Sequence, residues 1–180
     1  QDSHFSPRAA ELIAKQVAVV LKDAPWLAEQ PKTPLFTAKR ELEFNGDLTK
    51  MAGAPTLPAE HRQARLVGRA ADASEPLLPD PASPVLLLGD SHALVFNAGG
   101  DMLGRGAGLA DQLAAELGFP VEVVAVRGSG ATPARLAMYR KAAGDPAWLA
   151  SKKVVVWCFA AREFTEASGW RVLPIAPAKP

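Results

Sequence analysis

Asp-Ser-His occurs twice in this chain, at residues 2–4 and again at 90–92, and the remaining histidine is His61. These are the residue types of acyl-transfer chemistry, in which a histidine held by a carboxylate takes the proton of a serine hydroxyl. They are equally candidate ligands for zinc. Neighbouring side chains on a turn or helix point apart, so His92 is a poor base for Ser91. A base for that serine has to come from elsewhere in the chain.

The second copy follows Val85-Leu86-Leu87-Leu88-Gly89, a short apolar run stopped by glycine. Such a run, bounded by turn signals, is the pattern of a strand buried on both faces of a parallel sheet. Ligands of open α/β sheets bind at the carboxyl ends of the strands. Ser91 therefore stands where a nucleophile would be presented, with the start of a helix next in the chain and its N–H groups aimed at a developing oxyanion. Gly89 permits the tight turn, and Asp90 is expected to brace it by hydrogen bonds. The tripeptide alone fits a plain strand-to-helix turn with an N-cap equally well.

In the first copy, Asp2 and His4 fall on the same side of an extended segment. A small turn would let the carboxylate accept a hydrogen bond from the imidazole Nδ1–H, which fixes the tautomer and leaves Nε2 as the proton acceptor. An isolated Asp-x-His near a terminus is more often a solvated pair. Here Ser6-Pro7 supplies an N-cap and a first-turn proline, so the pair is mounted on a helix. The two copies read as unlike halves: Asp2 and His4 as orienter and base, Ser91 as nucleophile, with Ser3 and His92 outside the triad. A zinc site built by Asp2, His4, Asp90 and His92 from two arms is the weaker alternative, because no further ligand cluster exists and Gly89 suits a nucleophile turn better. No metal is expected.

The elements that must position these groups follow from periodicity. After Ser6-Pro7, Leu12, Ile13, Val17, Val20 and Leu21 recur at helical spacing, with Arg8, Glu11, Lys15 and Lys22 opposite, and Pro25 ends the helix. Residues 25–45 read as loop-rich, 44–53 as a turn and short helix, 54–63 as loop, and 64–70 as a strand. After the strand at 85–89 come a helix over 108–118 closed by Gly118, a strand over 121–126, a helix over 132–144 with Thr132 as N-cap, a strand over 152–160 and a fourth over 170–175. Strand, helix, strand, helix, strand predicts an open, mainly parallel sheet flanked by helices, a three-layer α/β sandwich of flavodoxin-like type. Its 180 residues fit a single domain, residues 1–180.

Composition narrows the partners. Hydrophobic residues make up 48% and charged residues 22%, with a net charge of +1 and no lysine- or arginine-rich run. That balance argues against nucleic acid or an anionic membrane as main partner. No apolar stretch reaches the ~18 residues of a membrane span. Cys158 is the lone cysteine, so it offers neither an internal disulfide nor metal-ligand spacing. The glycine-rich stretches 104–112 and 127–135 match neither the dinucleotide nor the P-loop fingerprint, and no cofactor is expected. Of Trp26, Trp148, Trp157 and Trp170, only Trp170 is placed near a site. Gln1 without a methionine or leader reads as a processed or truncated end.

Taken together, these motifs resemble a family. "VLLLGDSH" looks like the first block of the SGNH hydrolase superfamily. "DSHFSPRAAELIA" lies upstream of the serine, which resembles the rearranged branch containing the SGNH-like domains of alginate and other exopolysaccharide O-acetyltransferases. "NGDLTKM", the 108–118 helix and "VVVWCFAAREF" are similar as well, although Phe5 stands where tryptophan is common. The resemblance implies Ser91 as nucleophile, His4 as base and Asp2 as its partner. It implies an oxyanion hole from the backbone of Ser91, Gly128 and Gly130. Arg162 matches an arginine of the acetyltransferase branch and would contact substrate, as would Trp170; a surface ion pair of Arg162 with Glu163 or Glu166 is an equal alternative. No Gly-x-Asn-Asp follows the third strand, so the side-chain donor of ordinary SGNH esterases is absent. The resemblance also leaves open an N-terminal strand missing from this chain.

What the resemblance implies is acetyl transfer to a polysaccharide in the periplasm or elsewhere outside the cytoplasm, from an acetyl donor that a membrane partner could deliver. A carbohydrate acetylesterase and a non-catalytic carbohydrate-binding domain are the alternatives. A base that must be neutral predicts activity falling at acidic pH; a rate flat from about pH 5 to about pH 8 would count against His4.

Overall fold

Val85–Gly89 is buried at every position, as a strand with neighbours on both sides and side chains packed on both faces must be. In the computed structural model, which describes residues 1–53, 57–128, 130–166, 169 and 172–174, the chain divides into two compact units. One comprises Gln1–Leu78 and Val95–Pro120; the other comprises Pro79–Leu94 and Val121–Pro180.

The first unit opens with α1 (Pro7–Leu21), capped by the Ser6 hydroxyl, which accepts the Ala9 N–H at 3.3 Å. Its inward face differs from the expected one. Pro7, Ala10 and Ala14 are buried, whereas Leu12 is 47% and Val20 81% exposed. Apolar residues lie on both sides of this helix, and the alanine side wins because small side chains let it approach a second helix closely. After a short helix, α2 (Pro25–Ala28), come β1 (Phe36–Phe44), α3 (Asp47–Met51) and β2 (Glu60–Gly68).

β1 and β2 pair antiparallel from Phe36↔Gly68 to Phe44↔Glu60. This two-stranded sheet takes up residues 36–44 and 60–63 of the stretches expected as loop over 25–45 and 54–63, and β2 starts and ends earlier than the strand read at 64–70. His61 is spent on its surface, against Glu41 at 2.7 Å. α4 (Leu109–Leu117) packs against α1 and is tied to β2 by Arg65, which donates to Gln112 at 2.7 Å and Glu116 at 2.6 Å.

The second unit carries the parallel sheet. β3 (Val85–Gly89) lies between β4 (Glu122–Ala125) and β5 (Val154–Cys158), in register Gly89↔Ala125 and Gly89↔Cys158. α5 (Ala131–Gly144) and α6 (Pro146–Ala150) cover one face, with Ala134, Met138, Ala142 and Trp148 against Leu86 and Leu88. α7 (Arg162–Thr165) follows β5. The mixed α/β class with a parallel sheet and flanking helices agrees with the expectation. Two details do not. Thr132 is inside α5, whose N-cap is Gly130, and residues 172–174 carry no strand; the rest of the proposed strand, apart from those residues, lies outside the described ones. No helix among the described residues is long and apolar enough to cross a membrane.

Candidate active site

Each Asp-Ser-His copy forms the same local structure. In the first, Asp2 Oδ1 accepts the backbone N–H of His4 at 2.9 Å and faces its ring Nδ1 at 2.7 Å. In the second, Asp90 Oδ1 accepts the N–H of His92 at 2.9 Å and faces its Nδ1 at 3.1 Å. The other oxygen of each aspartate reaches a distant backbone: Asp2 Oδ2 takes the N–H of Asp47 at 2.9 Å, and Asp90 Oδ2 that of Ala160 at 3.2 Å. A carboxylate only accepts, so Nδ1 is the donor in both rings and the imidazole proton acceptor is Nε2.

The first copy belongs to the first unit. The side chains of Asp2 and His4 are only 10% and 14% exposed, so their bond is sheltered from water. Beside them opens a cavity of about 430 Å³, lined among others by Phe5, Arg8, Phe44, Glu60, Arg62 and Phe96. Phe96 adopts φ 57°, a costly conformation for a bulky residue. It is held there by its N–H to Met102 at 2.8 Å, by the Ala107 N–H to its carbonyl at 3.0 Å and by an edge-on contact with Phe44 at 5.1 Å. Nothing in the sequence signals this residue. Asp47 was missed as well, although "NGD" marks a turn: its Oδ1 accepts the Ser3 N–H at 2.7 Å and its Oδ2 the Ser3 hydroxyl. Burial pushes the Asp47 carboxyl up, but those bonds and the nearby His4 outweigh it and hold it below the ordinary carboxylate range.

The second copy belongs to the second unit. β3 ends at Gly89, and Ser91–Ala93 make a single 3-10 turn, not the opening of an α-helix. A Cβ on Gly89 would lie 2.7 Å from the Cys158 carbonyl oxygen and 2.8 Å from the Ala93 Cβ; close approach of two strand ends demands glycine here. Asp90 is 2% exposed. Burial pushes its carboxyl up, yet the His92 ring and N–H and the Ala160 N–H together hold it down. The Cys158 thiol is pushed up to about 11 by burial and by the Asp90 charge, which leaves it protonated and inert as a nucleophile.

Gly128 and Gly130 both have positive φ, 62° and 63°. At Gly130 the space a side chain would need is filled by the Glu163 carboxylate, which accepts the Ala131 N–H at 3.0 Å. Glu163 thus turns to the start of α5. Trp170 lies outside the described residues. The structure brings Asp2 together with His4, and Gly89 and Asp90 with the end of β5.

The four ligands of the zinc alternative fall two in each unit. The three donors that do lie within 4.8 Å of one another are Asp2, His4 and Asp47, and their carboxylate oxygens already accept protein N–H and O–H groups. They form a hydrogen-bonded network, which is the arrangement an oriented base needs.

The family model described as "SGNH hydrolase-like domain, acetyltransferase AlgX" matches residues 1–161. The chain belongs to this family. Among solved structures, the fold is similar to the O-acetyltransferase domain of Pseudomonas putida AlgJ, with a TM-score of 0.63 and 23% identity over 94% of this chain and 55% of that one. It is also similar to Pseudomonas aeruginosa AlgX, with a TM-score of 0.57 and 22% identity over 88% of this chain and 34% of that one. At such identities the likeness concerns the fold, and this chain spans about half of the first structure and a third of the second. A comparison with curated protein sequences returns no match.

Proposed function

We propose that this SGNH-like domain transfers acetyl groups to a polysaccharide outside the cytoplasm, through an acetyl-serine intermediate. One observation carries the proposal: the sheltered 2.7 Å bond between Asp2 and the His4 Nδ1, which prepares Nε2 to take a proton. Membership of a family described as acetyltransferase supports the chemistry, and the resemblance of the motifs to alginate and other exopolysaccharide O-acetyltransferases supports a polysaccharide acceptor.

His4 Nε2 takes the Ser91 hydroxyl proton as Oγ attacks the acetyl carbonyl. The tetrahedral oxyanion is met by backbone N–H groups of Ser91 and the Gly128–Gly130 turn, each such donor contributing a factor of about 10²–10³ in rate. Collapse returns the proton from His4 to the departing donor oxygen and leaves acetyl-Ser91. A sugar hydroxyl, placed with the help of Arg162 and Trp170, then gives its proton to His4 and attacks the acetyl group, and His4 returns that proton to the departing Ser91 Oγ. The donor would be delivered by a membrane acetyl-transfer partner.

The test is p-nitrophenol release from p-nitrophenyl acetate by wild type, Ser91→Ala and His4→Ala, followed by addition of de-acetylated alginate. Loss of release in both variants, with acetyl appearing on the polymer, is the expected result. Equal release by all three proteins overturns the serine mechanism. Release that the polymer neither accelerates nor diverts identifies an esterase.

A further inference from the structure

We propose that Asp47 is a positioning residue for the His4 base, gripping the Asp2–Ser3–His4 turn through Ser3 and Asp2 at once. The grip is reciprocal: the Asp47 carboxylate takes the Ser3 N–H at 2.7 Å and the Ser3 hydroxyl, while the Asp47 N–H donates to Asp2 Oδ2 at 2.9 Å. The loop before it is pressed onto the same segment. The Leu48 N–H donates to the Gln1 carbonyl at 3.2 Å, and a Cβ on Gly46 would lie 2.7 Å from the Asp2 Cβ. The turn that carries the base is therefore clamped across 45 residues of sequence. The clamp also sets a second carboxylate 3.9 Å from the His4 Nδ1, on the ring nitrogen that carries the proton throughout the cycle.

The second Asp-Ser-His supplies the comparison. There the residue donating its N–H to Asp90 Oδ2 is Ala160, whose methyl group cannot hold a serine. The first copy differs from the second in having an acid at this position, and the acid binds the hydroxyl of Ser3. This commits Ser3 to structure in the copy that supplies the base, whereas the copy that supplies the nucleophile has no such acid in its clamp.

The inference rests on His4 acting as the base proposed above. Besides Asp2 and Asp47, the cavity beside the ring is lined by the charged groups of Arg8, Glu60 and Arg62. The experiment measures kcat and KM on p-nitrophenyl acetate for Asp47→Ala, Asp47→Asn and Ser3→Ala, with Tm and long-range ¹H–¹⁵N spectra of the imidazoles. In Asp47→Ala, kcat is expected to fall roughly tenfold to a hundredfold from misplacement of the base, with KM within about threefold. Asp47→Asn, which still accepts from Ser3, recovers most of the loss. The His4 ring keeps one tautomer in wild type and Asp47→Asn and averages between two in Asp47→Ala.

A purely structural role would lower Tm and leave kcat and ring signals of the folded fraction unchanged; that result overturns the proposal. If Asp47→Ala does not fold, Ser3→Ala decides by the same spectra. If His4→Ala and Ser91→Ala turn over like wild type, the acetyl-serine reading fails, and the tautomer of His4 still tells whether Asp47 positions it.

Discussion

Asp2→Asn replaces an acceptor-only carboxylate by an amide that must donate somewhere, and all of its partners are donors. Oδ1 receives the His4 N–H at 2.9 Å and the ring N–H at 2.7 Å, and Oδ2 receives the Asp47 N–H at 2.9 Å. With the new carbonyl toward His4, the NH₂ meets the Asp47 N–H, and one buried hydrogen bond is lost at a cost of about 1–3 kcal/mol. For 180 residues that is a fall in Tm of roughly 2–12 °C. With the NH₂ toward His4, the ring must present Nδ1 as an acceptor, Nε2 carries the proton, and the base is lost, a defect of up to about 10⁴-fold in kcat. The ring bond is the shorter one and lies on the oxygen that carries two donors, so the carbonyl-inward orientation is the more stable of the two. The expected variant is therefore destabilised, with activity lowered by the share of molecules in the other orientation. Calorimetry and p-nitrophenyl acetate turnover measure the two effects separately. A variant with unchanged Tm and kcat/KM within about threefold of wild type would refute the reasoning.

Three further substitutions test the supports of the site. Gly89→Ala forces a methyl against the Cys158 carbonyl at the end of β5 and the Ala93 Cβ in the following turn, at 2.7 and 2.8 Å; a loss of about 3 kcal/mol, at the top of the overpacking range, should appear as low soluble yield and a lowered Tm. Gly130→Ala pairs a φ of 63° and a ψ of −157° with a collision against Glu163, so Gly130→Ala with Glu163→Ala should recover the steric part and leave the roughly 1–3 kcal/mol of a backbone region that glycine alone adopts readily; strictly additive losses in the double-mutant cycle would contradict the contact. Asp111, fully buried, takes the Asn97 amide and the Gly108 N–H on one oxygen, each at 3.0 Å, and burial raises its carboxyl to about 7 against those bonds. The folded state then holds a proton that the unfolded state has released, so this group's stabilisation is complete in acid and is lost as pH rises from about 4 to about 7. Asp111→Asn keeps both bonds through its carbonyl. Urea midpoints should therefore show it more stable than wild type at pH 8 and the difference shrinking at pH 5, and identical pH slopes would count against the assignment.

The sequence was most informative where one local rule acts alone. Ser6-Pro7 fixes a helix start through a hydroxyl cap and a preset φ, and the structure agrees at both residues. The apolar run at 85–88 admits little besides a central strand. "FTAKRELEF" is different: Phe36, Ala38, Leu42 and Phe44 alternate with polar residues in strand fashion, but an arginine breaks the series at position 40, and neighbouring prolines suggest loop. Its partner strand lies across a helix and a turn, so pairing energy that no local window contains decides the matter. The inward face of α1 was misjudged for a similar reason. Burial is set by what a helix packs against, and alanines outcompeted larger residues because close approach mattered more than area. Asp47 and Glu163 were illegible as site neighbours because each acts on a residue more than thirty positions away.

The tripeptide written twice is one device used for two ends. In both copies the aspartate closes a turn on its own histidine, which the local sequence explains, and ties that turn to a distant backbone N–H. What distinguishes them is supplied from outside. The first copy stands before a capped helix, beside a cavity and under Asp47, and its serine is bound to that acid. The second stands at the carboxyl end of the central strand, where Gly89 lets the turn sit against β5 and Ala160 in place of an acid takes part in the clamp. In the first copy the acid of the clamp binds the Ser3 hydroxyl, and the residue that takes its place in the second copy's clamp is an alanine. On this argument an acid brought to position 160 should engage Ser91 as Asp47 engages Ser3. Ala160→Asp is expected to suppress ester turnover while leaving the Asp90–His92 bond in place. Full activity in that variant would show that the resemblance of the two turns ends at their hydrogen bonds.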